Sequence, residues 1–468
     1  MIFKYTIFPL ISLLLYSAVQ AAEYDLIPSQ IDAQLSSIIK ANELTGSPIS
    51  EFPIPDIDSP KAQLGMKLFY SKSLGGDKTT ACVSCHHPML GGGDNLSLSI
   101  GIDSINPDVL GPHRKLQKNT SPQVPRNAPT TFNVTFWKKS MFHDMRITRL
   151  SDNSIHTPDM PYPETDPLAG DTLVQAQARF PITSINEMRG AYKGDSFNQT
   201  LRRELAARLK NNWLEEFQKG FSFPTGSAED LITEQNFSEA IAEFERSQVF
   251  INTPWKSYVE GNLEAINESA KQGAVLFYTA QQDGGAACSQ CHSGDFFTDE
   301  LAYNTAMPQI GVGLESGSTK TNDYGLNLVT NKEDDKFRFR TPSLLNVEVT
   351  GPWGHDGGYT SLEGITTHML SPIKSALHYN PKQLKQDNIA TQDTQENTLE
   401  AIEAGVNITA KPSLEKNDVK YIVAFLKTLT DPCVKDRACL SKWILPVNEN
   451  DPDGQTLHAI SNTTGKYF

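Results

Sequence analysis

Cys82-Val83-Ser84-Cys85-His86 and Cys288-Ser289-Gln290-Cys291-His292 are a single C-x-x-C-H pattern written twice. This run is the attachment signature of a c-type haem. Two intervening residues bring both thiols onto one turn beside the porphyrin edge, where they add to its vinyl groups. The next residue then offers its imidazole to the iron. A C-x-x-C redox or zinc site with a fortuitous histidine would have to arise twice in one chain. The pattern therefore predicts two covalent haems, held by Cys82, Cys85 and His86 and by Cys288, Cys291 and His292.

The flanks repeat as well. Lys61-Ala62-Gln63-Leu64-Gly65-Met66-Lys67-Leu68-Phe69-Tyr70 has apolar residues at helical spacing and runs into a Gly-rich turn before Cys82. Ala270-Lys271-Gln272-Gly273-Ala274-Val275-Leu276-Phe277-Tyr278, then Asp283-Gly284-Gly285, does the same before Cys288. Helix, turn and motif recur at domain length, as in an internal duplication. The expected fold is mainly α: two small haem-binding domains with long irregular loops. Further helices are expected over 31–41, 200–219, 238–250 and 418–429, and the crossing between halves at Asn252-Thr253-Pro254-Trp255. The corresponding domains are 22–260 and 261–447, followed by a turn-rich surface tail at 448–468.

The 468 residues exceed one core. A formal charge of −14 argues against nucleic acid and anionic membrane as partners, and permits docking of a basic electron-transfer protein. Lys4, an apolar stretch over 7–19 and Val19-Gln20-Ala21 read as an export signal spanning 1–21, cleaved near Ala21 or Ala22. No run reaches membrane-spanning length. A periplasmic location follows, consistent with haem attachment outside the cytoplasm. Four of six cysteines belong to the motifs, and Cys433 and Cys439 are expected to form a disulfide there, pinning the tail.

The remaining motifs carry a family resemblance. Pro125-Arg126-Asn127-Ala128-Pro129-Thr130, Phe142-His143-Asp144-Met145-Arg146, Asn186-Glu187-Met188-Arg189-Gly190, Thr341-Pro342-Ser343-Leu344-Leu345-Asn346-Val347 and Thr350-Gly351-Pro352-Trp353-Gly354-His355-Asp356-Gly357 follow one another around the two haem motifs. In this order, over about 61–429, the chain resembles the bacterial dihaem cytochrome c peroxidase superfamily, MauG-like enzymes included. The resemblance implies two cytochrome-c-like α domains with a calcium ion between them. It places Asn127 by its side chain, and Thr350 and Pro352 by their carbonyls, among the calcium ligands; hard oxygen donors suit that ion. It places Glu187 as the acid/base at the first haem, and Met369 as the axial ligand of the second. Met/His ligation raises a haem's reduction potential. Adjacent His368 is the competing ligand, and MauG carries Tyr at the position of Met369.

Three departures matter. The peroxidases close the first haem with a histidine in an S-I-G-H context, whereas Ser99-Ile100-Gly101 here precedes Ile102. His113 is the remaining candidate substitute, and otherwise the first iron stays open. His143 stands where the family has the Trp of F-W-D-G-R, leaving Trp353 or Trp137 as aromatic relays. His87 reads as a packing or propionate-contacting residue. Gly91-Gly92-Gly93-Asp94 lacks the Lys-Ser/Thr of a phosphate loop and is expected to let backbone approach the haem closely.

The expected activity is reduction of hydrogen peroxide to water with electrons from a small cytochrome c or cupredoxin. The alternative, favoured by Ile102, His143 and the long loop over 107–123, is a MauG-like or methanobactin-associated type of enzyme that uses peroxide to oxidise residues of a partner protein. A non-enzymatic electron carrier is the third reading. A homodimer is left open.

Overall fold

In the computed structural model, residues 29–117, 120–314, 321–411, 413, 415, 417–461 and 464–468 are described; the expected export signal lies outside them. The chain is helix-rich, with strands only two or three residues long. The elements that position the site are α1 (Gln30–Ala41), α2 (Pro60–Tyr70), α3 (Glu234–Arg246), α4 (Glu268–Tyr278), α5 (Leu362–Leu370) and α6 (Asp418–Lys427). Helix α2 starts where Ser59 caps the Ala62 N–H and Pro60 occupies the first turn, and α4 starts where the Asn267 side chain accepts from Ala270. The helix expected over 200–219 breaks into Asn198–Leu209 and Leu214–Gly220 around fully buried Trp213.

The same packing device holds each half. A Cβ added to Gly65 would lie 1.9 Å from the Ala240 carbonyl of α3 and 3.0 Å from the Phe244 Cβ. A Cβ added to Gly273 would lie 1.9 Å from the Tyr421 carbonyl of α6 and 2.8 Å from the Phe425 Cβ. In both pairs the backbones touch because a glycine faces the partner helix. The helix preceding each haem motif is thus pressed onto a later helix whose Phe lies beside that glycine.

Two apolar clusters form around these pairs. One gathers Leu64, Leu68, Phe69, Leu205, Phe237 and Phe244; the other Ala274, Phe277, Leu362, Ile422 and Phe425. The packing crosses the expected boundary at 260 in both directions. Leu35 and Leu44, near the amino end, pack in the second cluster, and Asp32 pairs with Lys271 of α4 at 2.9 Å.

The carboxyl-terminal stretch joins the first cluster through Leu445, Leu457 and Ala459, so the segment expected as a low-information surface tail is in fact an integral strap. Lys72 donates its backbone N–H to Gln455, Leu457 donates to Tyr70, and the Trp213 indole donates to Asp453 at 2.8 Å. Short strands complete the strap. β1 (Val109–Leu110) pairs in parallel with β7 (Ile460–Ser461), which pairs with β8 (Lys466–Tyr467). β2 (Ser140–Met141), β3 (Ile147–Arg149) and β4 (Ile155–His156) form an antiparallel meander, and β5 (Ala302–Tyr303) pairs with β6 (Phe339–Arg340). Cys433 and Cys439 adopt disulfide geometry, with a Cα separation of 5.3 Å.

In an exposed helix Gly→Ala stabilises by about 1 kcal/mol. Gly273→Ala is expected instead to destabilise by about 1–3 kcal/mol, because the methyl must push α6 away. A thermal midpoint of the holoprotein equal to or above wild type would contradict the backbone contact.

Candidate haem-binding and catalytic site

Each C-x-x-C-H run sits on a tight turn, Cys82–Ser84 and Cys288–Gln290. The N–H groups of His86 and His292 return to the carbonyls of Cys82 and Cys288, at 3.1 and 2.9 Å, which folds each imidazole back beside its thiols. The Nδ1 of His86 lies 3.1 Å from the Gly92 carbonyl, and the Nδ1 of His292 lies 3.1 Å from the Phe297 carbonyl. A carbonyl only accepts, so Nδ1 carries the proton and Nε2 is left with a lone pair that could coordinate a metal. Burial lowers both pKa values, keeping the rings neutral. The carbonyls of Pro129 and Pro342 also bear on these rings, which gives the P-R-N-A-P-T and T-P-S-L-L-N motifs matching local roles.

Both motifs open on one continuous cavity of about 1090 Å³. Ordinary small-ligand pockets span about 300–1,000 Å³. The four motif cysteines are free thiols. Arg340 lines the same cavity, and its buried Nη1 has no hydrogen-bond partner. Unpaired thiols, carbonyl-held imidazoles, an apolar wall and a buried guanidinium nitrogen with no hydrogen-bond partner among the described residues are what two covalent haems with propionates require. The residues fit that cofactor.

Glu187 lies on the wall of this cavity, in a single π-helical turn, Ile185–Arg189. Such turns are rare and concentrate at functional sites. Burial pushes the Glu187 carboxyl above its ordinary pKa, while the Arg146 charge and the Ser184 hydroxyl pull it back. The histidines lining the cavity are His86, His143, His292 and His355. Ile102 does not line it, and neither does His113, whose side chain is exposed; the substitute distal ligand considered for His113 therefore has no structural basis. The His143 Nε2 donates to the Asn127 carbonyl at 3.0 Å, and His355 stacks on Phe339 with centroids 3.7 Å apart. Burial holds both rings neutral, with pKa values of about 4 and about 3. Beside them Arg126 bridges Asp144 and Asp323, each at 2.6 Å.

On α5, Met369 lines the cavity with Leu362, Ile365 and Thr366. His368 faces away and is fully buried. Its Nε2 donates to the Thr305 carbonyl at 2.9 Å, and its Nδ1 accepts from the Tyr359 hydroxyl at 2.9 Å. With both nitrogens engaged, His368 has no atom to offer an iron, and Met369 is the side chain in place.

Asn127, Thr350 and Pro352 also line the cavity. The Asn127 amide donates to the Leu96 carbonyl at 2.7 Å, which fixes its orientation. Among the described residues no cluster of His, Cys, Asp or Glu could hold a metal ion, so a cation here would depend on amide and carbonyl oxygens. Both candidate tryptophans line the cavity, in different settings. The Arg340 guanidinium covers the Trp137 ring at 3.3 Å, which opposes a positive charge on that ring, whereas the Trp353 indole donates to the Val347 carbonyl.

His87 is a packing residue. It is fully buried, accepts the Met89 N–H on Nδ1 and packs at a tilt against Phe468, with ring centroids 4.6 Å apart. The glycine run seats protein rather than only cofactor. A Cβ on Gly91 would meet the Val349 carbonyl at 2.1 Å, and the Gly92 carbonyl holds His86. Sequence reasoning passed over Glu245, a cavity-lining carboxyl that burial pushes up to about 8 and whose Oε2 is unpartnered. An acid four residues after Ile241, on the apolar face of α3, was the signal for it.

Residues 59–264 match the family model for di-haem cytochrome c peroxidase. The cytochrome c551 peroxidase of Nitrosomonas europaea is 27% identical over 390 residues, 83% of this chain and 84% of that protein. The methylamine utilization protein MauG of Methylophilus methylotrophus is 26% identical over 311 residues, 66% of this chain and 72% of that one. The crystal structure of a MauG-like protein associated with microbial copper homeostasis shares the fold. Its TM-score is 0.56 at 21% identity, covering 84% of this chain and 97% of that one. The resemblance carried by the motifs is borne out.

Met369→Ala is expected to abolish the long-wavelength absorption of a thioether-ligated haem, while His368→Ala keeps it at reduced stability. The reverse pattern in visible spectra of the oxidised holoproteins would move the ligand to His368.

Proposed function

We propose, from its place among the di-haem cytochrome c peroxidases and MauG proteins, that the chain reduces hydrogen peroxide to water at the first of two haems. The observation that carries this reading is the asymmetry of the cavity wall. The thioether of Met369 stands on the second haem's side. On the first, the described residues offer Glu187 and, apart from the proximal His86, no histidine at the closing position. When bound, the haems supply the two electrons that the overall reaction consumes: peroxide plus two electrons and two protons gives two waters.

The chain supplies the rest. His86 and His292 hold the groups through Nε2. Met369 saturates the second site, which favours storing and passing electrons over binding an oxidant. The Glu187 carboxylate takes the proton from the near oxygen of peroxide and delivers it to the departing one, a transfer that contributes about 10²–10⁴-fold in enzymes. The Arg146 charge favours the ionised, basic form of that carboxyl and so works against the effect of burial.

The full reading is a periplasmic protein with leader 1–21, a peroxidatic domain over 22–260 and an electron-transfer domain over 261–447 related by duplication. Calcium sits at Asn127, Thr350 and Pro352, and the donor is a small cytochrome c or cupredoxin. The matched glycine contacts at Gly65 and Gly273 support the duplication. Among the described residues no helix is long and apolar enough to cross a membrane. The second reading, oxidation of a partner protein's residues, draws support from His113 lying outside the cavity and from the MauG relatives.

Glu187→Gln is expected to slow peroxide consumption by about 10²–10⁴-fold with haem content unchanged. The carboxylate is the working form and burial raises its pKa, so the wild-type rate should fall as pH drops through a midpoint above 4.5. Stopped-flow pH profiles check this; a flat acid limb, or full activity in the variant, would reject Glu187. Oxidised protein that reacts with peroxide before any reduction and turns over poorly with cytochrome would favour the second reading.

A further inference from the structure

We propose that Arg114 is a positioning residue for Glu187, locking the loop over 100–110 so that the first site is set for peroxide in the resting protein. The inference rests on the reading of Glu187 given above. Arg114 is only 2% exposed, and its four side-chain hydrogen bonds all go to backbone carbonyls. Nε donates to Ile100 at 2.7 Å, Nη2 to Gly101 at 2.9 Å, and Nη1 to Pro107 at 2.7 Å and Val109 at 3.2 Å. Burying a guanidinium with no carboxylate in direct hydrogen-bond contact is costly, and Asp94 and Asp108 act on Arg114 only through their charge. The planar fork reaches several carbonyls at once, which a lysine cannot do. Without it, the Ile100 and Gly101 carbonyls lose a donor in a dry interior.

The held loop bears directly on the catalytic turn. A Cβ on Gly101 would lie 2.1 Å from the Asn186 carbonyl, 2.5 Å from the Glu187 carbonyl and 2.9 Å from the Glu187 Cα. Gly76 also donates its N–H to the Met188 carbonyl of that turn at 2.8 Å. The Asn186 side chain donates to the Gln123 carbonyl at 3.0 Å, at the end of the long stretch over 107–123 that follows this loop. The turn carrying Glu187 is thus tied to Gly76 and packed on a loop that Arg114 fastens. Ile102 sits on that loop, behind the cavity lining, so the segment where the peroxidases carry their closing histidine is here fastened away from the site.

The test uses holoprotein with Arg114→Met, Arg114→Lys and Gly101→Ala, each also combined with Glu187→Gln, followed by hydrogen exchange and by peroxide kinetics on oxidised protein. Arg114→Met is expected to raise exchange over 99–110 and 184–190 and to slow the peroxide reaction on the order of 10–100-fold, the scale of an ångström of misplacement. Arg114→Lys should recover part of the rate, and Gly101→Ala should slow it from the other face of the contact. In the Glu187→Gln background none of the three should add a further loss. An unchanged rate in Arg114→Met, unaltered exchange over 184–190, or an undiminished loss in the Glu187→Gln background overturns the proposal. If Arg114→Met fails to fold, Arg114→Lys and Gly101→Ala decide by the same criteria. If Glu187→Gln alone is fully active, the catalytic reading of Glu187 falls, and exchange over 184–190 still decides whether Arg114 holds that turn.

Discussion

Two backbone carbonyls govern the geometry of this protein. Gly92 and Phe297 each accept the Nδ1 proton of a motif histidine, and so decide which nitrogen of His86 and His292 is free. Gly92 is held in turn. It adopts a φ of +71°, its carbonyl also accepts the Thr131 N–H, and a Cβ there would meet Thr130 Oγ1 at 2.8 Å. Next to it Gly91 lies against the Val349 backbone. One turn therefore orients the first imidazole and seats the second half of the chain against the first. A side chain at either glycine would disturb the ligand and the interface together.

What was readable in the sequence was whatever chemistry or periodicity dictates locally. Covalent attachment fixes the spacing within Cys82–His86 and Cys288–His292, so the motifs could be read without any fold. Helices α2, α4 and α6 followed from apolar spacing, within a few residues of their ends. The choice between His368 and Met369 was not readable, because successive helical residues point about 100° apart and only packing against Tyr359 and Thr305 decides which faces the cavity.

The strap at the carboxyl end was invisible for a different reason. Its strands are two residues long, and its attachments are scattered hydrogen bonds: Asp453 accepts from Ser73, Asn212 and Trp213, the Gln455 carbonyl accepts from Lys72, and Leu457 donates to Tyr70. Arg114 and Glu245 were hidden by burial. A lone charge in a loop or on a helix reads as solvated until the structure shows carbonyls around the first and an apolar cavity beside the second. Glu187 was found only because its neighbours matched a family pattern.

The crossed packing of the chain ends bears on how the molecule is made. Leu35 and Leu44 await α4, and the first cluster awaits Leu457 and Ala459, so neither half is complete from its own contiguous residues. A polypeptide emerging amino end first keeps Cys82 against an unfinished cluster until Leu457 and Ala459 dock. Completion of the shell around the earlier thiols is thereby coupled to the docking of a segment nearly four hundred positions away in sequence, which no local folding of the first half can supply.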